Sequence, residues 1–322
     1  MAGAFAGRDL MSDRRPLLAG VELGGTKCVC LLAAGPDDVR EEVRIETTTP
    51  GETLAAIQTV LTRWRGAEGF AAIGVASFGP LELDPGAVGY GRLVNTSKSG
   101  WSGADVLAPV RGFGVPIGFD TDVNGAALAE GRWGGAQGLE SHAYVTVGTG
   151  IGVGSVVRGR TVRGLGHSEA GHLRIPRLAG ETWPGVCPYH GDCVEGLASG
   201  PAIQAKTGQP GDRLTPSDPA WDEVVHALVA LLHNLALTTA PQRILIGGGV
   251  VGGRPFLLPR LRTALIHSLN GYGAAPEIVA RIEDFLAAPA LTDRAGPLGA
   301  IALAEDALGL MEPAAIRPAS RL

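Results

Sequence analysis

Residues 17–34 read LLAGVELGGTKCVCLLAA, an apolar run, a Gly24-Gly25 turn and a second apolar run. That is a β-hairpin whose tip offers backbone N–H groups, with Thr26 and Lys27 adding side-chain donors. The same grammar returns at 143–157, AYVTVGTGIGVGSVV, where Gly148, Thr149 and Gly150 form the tip between two apolar runs. A hairpin with a glycine tip is a weak signal alone, but its recurrence points to two duplicated α/β domains that face each other. Two phosphate-cradling tips on either side of a cleft suit a triphosphate bound between them.

The segments between the hairpins fit an α/β reading. A third strand is expected over 42–48 and a helix over 52–65, with Leu54, Ile57, Val60, Leu61 and Trp64 on one face. Strands are expected at 71–76 and 115–119. The second delivers Asp120, Asp122 and Asn124 to its carboxyl end, where open sheets bind ligands, and a helix follows over 126–133. Of the two aspartates, one is expected to cap that helix and the other to act. Further on come a long helix at 218–239, a strand at 243–246 running into Gly247, Gly248 and Gly249, a helix at 255–269 and an Ala-rich helix at 298–308. The triple glycine lets a planar ring or a phosphate approach the backbone, or simply packs closely. His226 and His233, seven apart on the long helix, are read as exposed or packed residues.

The 322 residues are 45 % hydrophobic and 18 % charged with a net charge of -5, enough for two cored domains and without the basic footprint of a nucleic-acid binder. The 49 glycines, about twice the usual share, reflect tight turns and phosphate loops or a Gly/Ala-rich composition. Cys28 and Cys30 fall in an apolar strand and read as buried thiols of a reducing cytoplasm. Residues 1–16 read as a disordered leader with an alternative start at Met11. No apolar run is long enough to span a membrane as a helix.

Residues 166–195, GHSEAGHLRIPRLAGETWPGVCPYHGDCVE, narrow the chemistry. Cys187, His190 and Cys193 follow at spacings of three, and His172 stands fifteen before the first. Thiolates and imidazoles in that number suit a structural Zn²⁺, and Pro188 and Gly191 allow the tight turn it needs. A disulfide between Cys187 and Cys193 is the alternative, but it has no use for two histidines at ligand spacing. Glu169 and Glu195 are interleaved with these ligands, so a metal loop would also hold two carboxylates still.

Taken together, ELGGTK at 22–27, TDVN at 121–124, TVGTGIG at 146–152, EAGH at 169–172, CPYHGDCVE at 187–195 and LIGGGV at 245–250 resemble the ROK sugar kinases of the actin-like ATPase superfamily. Among them, the zinc-containing bacterial fructokinases are the most similar. The resemblance runs from about residue 21 to 300. It implies two actin-like, ribonuclease H-like domains: a small one over 17–121 plus about 300–322, and a large one over 122–299 with the zinc loop at 172–193.

It further implies ATP and Mg²⁺, with Gly24, Gly25, Thr26 and Lys27 as one phosphate loop and Thr146, Gly148, Thr149 and Gly150 as the other. Gly247, Gly248 and Gly249 would meet the adenosine, and Glu22 the Mg²⁺. Asp122 would take the proton of the attacked hydroxyl, and Asn95, Asn124, Glu169, His172 and Glu195 would contact the sugar. The implied reaction makes fructose 6-phosphate from D-fructose in a cytoplasmic homodimer.

The chain departs from the pattern at Glu22, where the wider family carries Asp, and at His190, where the glucokinase branch has a third cysteine. It also departs in NTSKSGW at 95–101, which lacks prolines. Kinases for glucose, mannose or an N-acetylhexosamine are the competing enzymes. A non-catalytic sugar sensor would not need Asp122, and a repressor needs a recognition module for which about sixteen residues before Leu17 leave no room.

Overall fold

The computed structural model describes residues 15–309; the expected leader lies almost entirely outside them, as do residues 310–322. Two five-stranded sheets share one topology. The first is built from β1 (Leu18–Leu23), β2 (Lys27–Gly35), β3 (Asp38–Glu46), β4 (Ile73–Ser77) and β5 (Ile117–Thr121), in the order β3-β2-β1-β4-β5. The second is built from β6 (His142–Val147), β7 (Ile151–Val157), β8 (Arg160–Thr161), β9 (Arg243–Gly247) and β10 (Leu286–Ala287), and read from β8 its order is the same. In each, the first three strands are antiparallel and the last two run parallel to the first. The duplication expected from the two hairpins is therefore present strand for strand.

The helices are α1 (Pro50–Ala67), α2 (Asp122–Trp133), α3 (Val194–Ala198), α4 (Gly200–Thr207), α5 (Ala220–Thr238), α6 (Gly248–Val251), α7 (Leu257–Leu269), α8 (Ala275–Ala280), α9 (Ile282–Phe285) and α10 (Ala295–Ala307). Thr49 caps α1 ahead of Pro50, its hydroxyl answered by Glu52, a pattern that satisfies otherwise unpaired N–H groups. The α2 cap corrects the sequence reading. Neither Asp120 nor Asp122 caps it; Thr121 does, accepting from the Asn124 N–H at 3.2 Å.

The last helix of each half lies on the other half. Helix α2, which follows β5, packs on β6 and β7, while α10, which follows β10, packs on β1, β4 and β5, and the two helices cross in the middle. Glycines make this possible. Gly20, Gly74 and Gly118 are neighbours across β1, β4 and β5, and a Cβ on Gly74 would sit 1.8 Å from the Ala300 carbonyl oxygen. A Cβ on Gly154 would likewise meet the Val123 oxygen of α2 at 2.0 Å. Part of the glycine excess thus serves neither turns nor loops but helix backbones laid directly on sheets.

Each half keeps its own apolar core. Leu23, Ile57, Leu61, Trp64 and Trp101 are buried in the first, and Trp221, Leu228, Leu232, Leu257 and Leu261 in the second. Among the described residues no helix is long and apolar enough to cross a membrane.

Candidate active site

Asp122 opens α2 at the end of β5, the junction between the halves, and its Oδ1 accepts the Val123 N–H at 2.8 Å. Burial pushes its carboxyl up to about 6 against that hydrogen bond. Two more carboxyls converge on it. Glu22, at the end of β1, is pushed up to about 7 by burial and then by the charge of Asp122, with Lys27 pulling the other way. Glu169 has 44 % of its side chain exposed, yet it too is raised to about 7, by burial and then by Glu195 and Asp122. Acids drawn from both halves and from the 166–195 stretch therefore share one field, a pattern that marks candidate functional sites.

Asp120, in contrast, is fully buried. It accepts from Thr161 at 2.9 Å, from Arg163 at 2.6 Å and from the Asn124 amide at 2.8 Å. Asn124, expected at the sugar, is thus buried with its amide committed to Asp120, so it lies beneath the cleft.

The first tip, Gly24, Gly25 and Thr26, is closed by the Gly24 N–H to the Lys27 oxygen at 3.0 Å. It is tied from outside by the Thr47 hydroxyl, which donates to the Gly24 oxygen at 2.9 Å, and by Lys98, which donates to the Gly25 oxygen at 2.5 Å. The second tip, Gly148, Thr149 and Gly150, is held by different partners. Glu195 Oε2 accepts the Ile151 N–H at 2.9 Å, and the Gly200 N–H donates to the Gly148 oxygen at 2.8 Å. Residue Thr146, just below this tip, is partly buried.

The triple glycine divides between its two readings. Gly247 and Gly248 are packed, a Cβ on Gly248 falling 2.5 Å from Val147 backbone atoms and 2.7 Å from the Thr146 hydroxyl, whereas Gly249 has open space.

His172, Cys187, His190 and Cys193 come together with all their ligand atoms within 4.8 Å of one another. Cys187 Sγ lies 3.5 Å from His172 Nδ1 and 3.7 Å from His190 Nδ1, and Cys193 Sγ lies 3.5 Å from His172 Nδ1. Zinc bonds of about 2.3 Å to sulfur and about 2.1 Å to nitrogen, at tetrahedral angles, give an edge of about 3.6 Å, so the donor set fits Zn²⁺. All four cysteines of the chain are free. Gly191, at φ +60°, closes the turn that pairs with Cys187 in both directions.

The other ring nitrogen of His172 lies 3.9 Å from Glu195 Oε1, so Glu195 stands between the metal group and the second tip. His226 and His233 bind elsewhere, to the Pro176 oxygen and to Ser268, as packed helix residues do.

Three residues that sequence spacing does not flag also line this region. Lys98 reaches the first tip, Tyr189 donates to the oxygen of Asn95 at 2.6 Å from within the metal loop, and His167 accepts the Leu81 N–H at 2.9 Å. Asn95 itself sits at φ +48°, a backbone region asparagine tolerates better than most.

The ROK family profile matches residues 18–307, nearly all of the described chain. The chain belongs to the ROK family. Its relatives include a fructokinase of Zymomonas mobilis, 39 % identical over 307 residues that cover 91 % of this chain and 98 % of the relative. A fructokinase of Pediococcus pentosaceus is 36 % identical over 293 residues, covering 91 % and 99 %. Among solved structures, a ROK hexokinase from Thermus thermophilus superposes with a TM-score of 0.73 at 27 % identity, covering 92 % of this ROK chain and all of the other.

Proposed function

We propose that this ROK protein transfers the terminal phosphoryl group of ATP to a hexose, with D-fructose as acceptor and fructose 6-phosphate as product. The observation that carries the chemistry is the convergence of Asp122 with Glu22 from one side and Glu169 from the other. The fructokinase names of relatives at 36–39 % identity carry the choice of sugar. Phosphoryl transfer has a loose transition state, so the protein's work is to position the reactants and neutralise charge.

In this reading Asp122 accepts the proton of the attacked hydroxyl, from hydrogen-bond range and late in the transfer. Glu169, Glu195, His172 and Asn95 contact the hydroxyls, and Asn124 supports them from below through Asp120. The two glycine tips donate N–H groups to the phosphates, Gly249 leaves room beside the adenosine, and Glu22 faces the Mg²⁺ that ATP brings. Mg²⁺ supplies charge neutralisation on the triphosphate when bound. Zn²⁺ held by His172, Cys187, His190 and Cys193 has a structural task, fixing Glu195 and His172 in place.

The small domain is 17–121 plus about 300–322, the large one 122–299. The working enzyme is a cytoplasmic homodimer.

The test is an ADP-release assay with Mg²⁺ and ATP against fructose, mannose, glucose and N-acetylhexosamines. Preference for fructose, lost in Asp122→Asn, is the expected outcome. Another hexose in first place would move the substrate assignment, and turnover unchanged by Asp122→Asn would remove the proposed base.

A further inference from the structure

His167 belongs to no role given so far, and its surroundings are unusual. It lies in the segment between β8 and the metal ligands, and only 5 % of its side chain is exposed. Its Nε2 is 2.9 Å from the backbone nitrogen of Leu81, which belongs to the first half's insertion between β4 and β5. A backbone N–H can only donate, so Nε2 must be the acceptor and the ring is neutral with its proton on Nδ1. Burial, which holds this histidine below its ordinary pKa, agrees with the neutral form.

That Nδ1 has the Ser168 oxygen as its hydrogen-bond partner at 3.4 Å, with Glu169 Oε1 beside it at 3.5 Å. The segment it grips on the other side leads to the sugar loop. Val94 N–H donates to the Pro80 oxygen at 2.8 Å, one residue before Asn95, whose own oxygen takes the Tyr189 hydroxyl from the metal loop.

We propose that His167 is a positioning residue for the acceptor sugar, one whose ring orients Glu169 from one nitrogen while the other nitrogen holds the 79–81 turn that carries Asn95. The two sugar-reading elements come from opposite halves, and His167 is a single rigid ring touching both. It sets their separation, and with it the length of polyol that fits between them. This inference rests on the sugar-kinase reading for the roles of Glu169 and Asn95, while the tautomer and the grip on Leu81 rest on the geometry alone.

The test combines kinetics with a substrate-independent measurement. In His167→Ala, KM for fructose rises at least about tenfold while KM for ATP stays within about twofold, as expected when the ring that holds Glu169 and the Leu81 turn is lost on the acceptor side only. In His167→Gln the amide oxygen can still accept from Leu81 while the amide nitrogen offers a donor on the side of Glu169. Melting temperature and KM for fructose both recover there, at least in part.

Nitrogen NMR of ¹⁵N-histidine protein, with His167→Gln assigning the signal, shows a neutral ring protonated on Nδ1. A KM for fructose within twofold of wild type in His167→Ala, no kinetic recovery in His167→Gln, equal rises for both substrates, or the Nε2–H tautomer would each overturn the proposal. Should the wild-type protein leave fructose untouched, the fructose assignment falls separately. The same variants are then compared on the hexose it does use, and the NMR result stands in either case.

Discussion

The two halves run the same strand order but interrupt it in different places. The first passes from β3 to α1 through residues 47–49 and opens between β4 and β5, where 78–116 carry Asn95 and Lys98. The second does the reverse in its early part. Its long insertion, 162–219, separates β8 from α5 and carries Glu169, the metal ligands, Glu195, α3 and α4. Two equivalent hairpin tips are consequently held by unlike partners. The first leans on Thr47 and Lys98, the second on Glu195 and the start of α4. Duplication supplied the symmetry of the two tips, and unequal insertions supplied the asymmetry of the residues around them.

The largest expected effect is at the junction of the halves, which neither tip owns. Asp122→Asn lowers kcat about 10²–10⁴-fold with substrate KM values little changed, read by ADP release. With the ionised carboxylate as the proposed base, kcat/KM of the unmodified enzyme should fall about tenfold per pH unit below its pKa. Burial places that limb near pH 6, which a pH series on kcat/KM locates.

Next is the metal loop. Cys187→Ser loses zinc by elemental analysis and lowers kcat/KM by at least about tenfold. Hydrogen exchange of the Ile151 amide speeds up while that of the Gly24 amide does not. Equal acceleration at both tips would break the comparison.

A smaller pair of effects sharpens it. Glu195→Ala leaves the Ile151 N–H without its charged acceptor, a loss of about 1.5–3 kcal/mol, whereas Thr47→Val removes a neutral hydrogen bond from the first tip at about 1 kcal/mol. The corresponding rises in KM for ATP should keep that order.

The smallest contrast is steric. A Cβ at residue 150 would lie 2.8 Å from Glu195 Oε2, while one at residue 25 meets nothing within 4 Å. Urea denaturation should show Gly25→Ala within about 0.5 kcal/mol of wild type and Gly150→Ala beyond that.

Much of this was legible in the chain. Both hairpins announced themselves because an antiparallel turn leaves a local mark, apolar runs around glycines, and the Cys/His group did so because three of its four members sit on one turn. Long helices such as α5 showed their apolar spacing.

What could not be read depends on contacts between distant segments. Nothing near Thr121 marks it as the cap in preference to its aspartate neighbours, since both residue types cap well and only the backbone decides. Asn124 looked available until Asp120 was seen to claim its amide. The roles of Lys98, His167 and Tyr189 depend on partners 73, 86 and 94 residues away. The short elements α3, α4, α6, α8, α9 and β10 are too brief for any period to show.

The row formed by Gly20, Gly74 and Gly118 has a consequence for how the protein is made. That bare strip of the first sheet is covered by α10, the last described helix, whose backbone would meet a Cβ at Gly74 first. Domains usually fold in the order they leave the ribosome. Here the first half emerges with one face open, and that face stays uncovered until residue 307 is out of the exit tunnel.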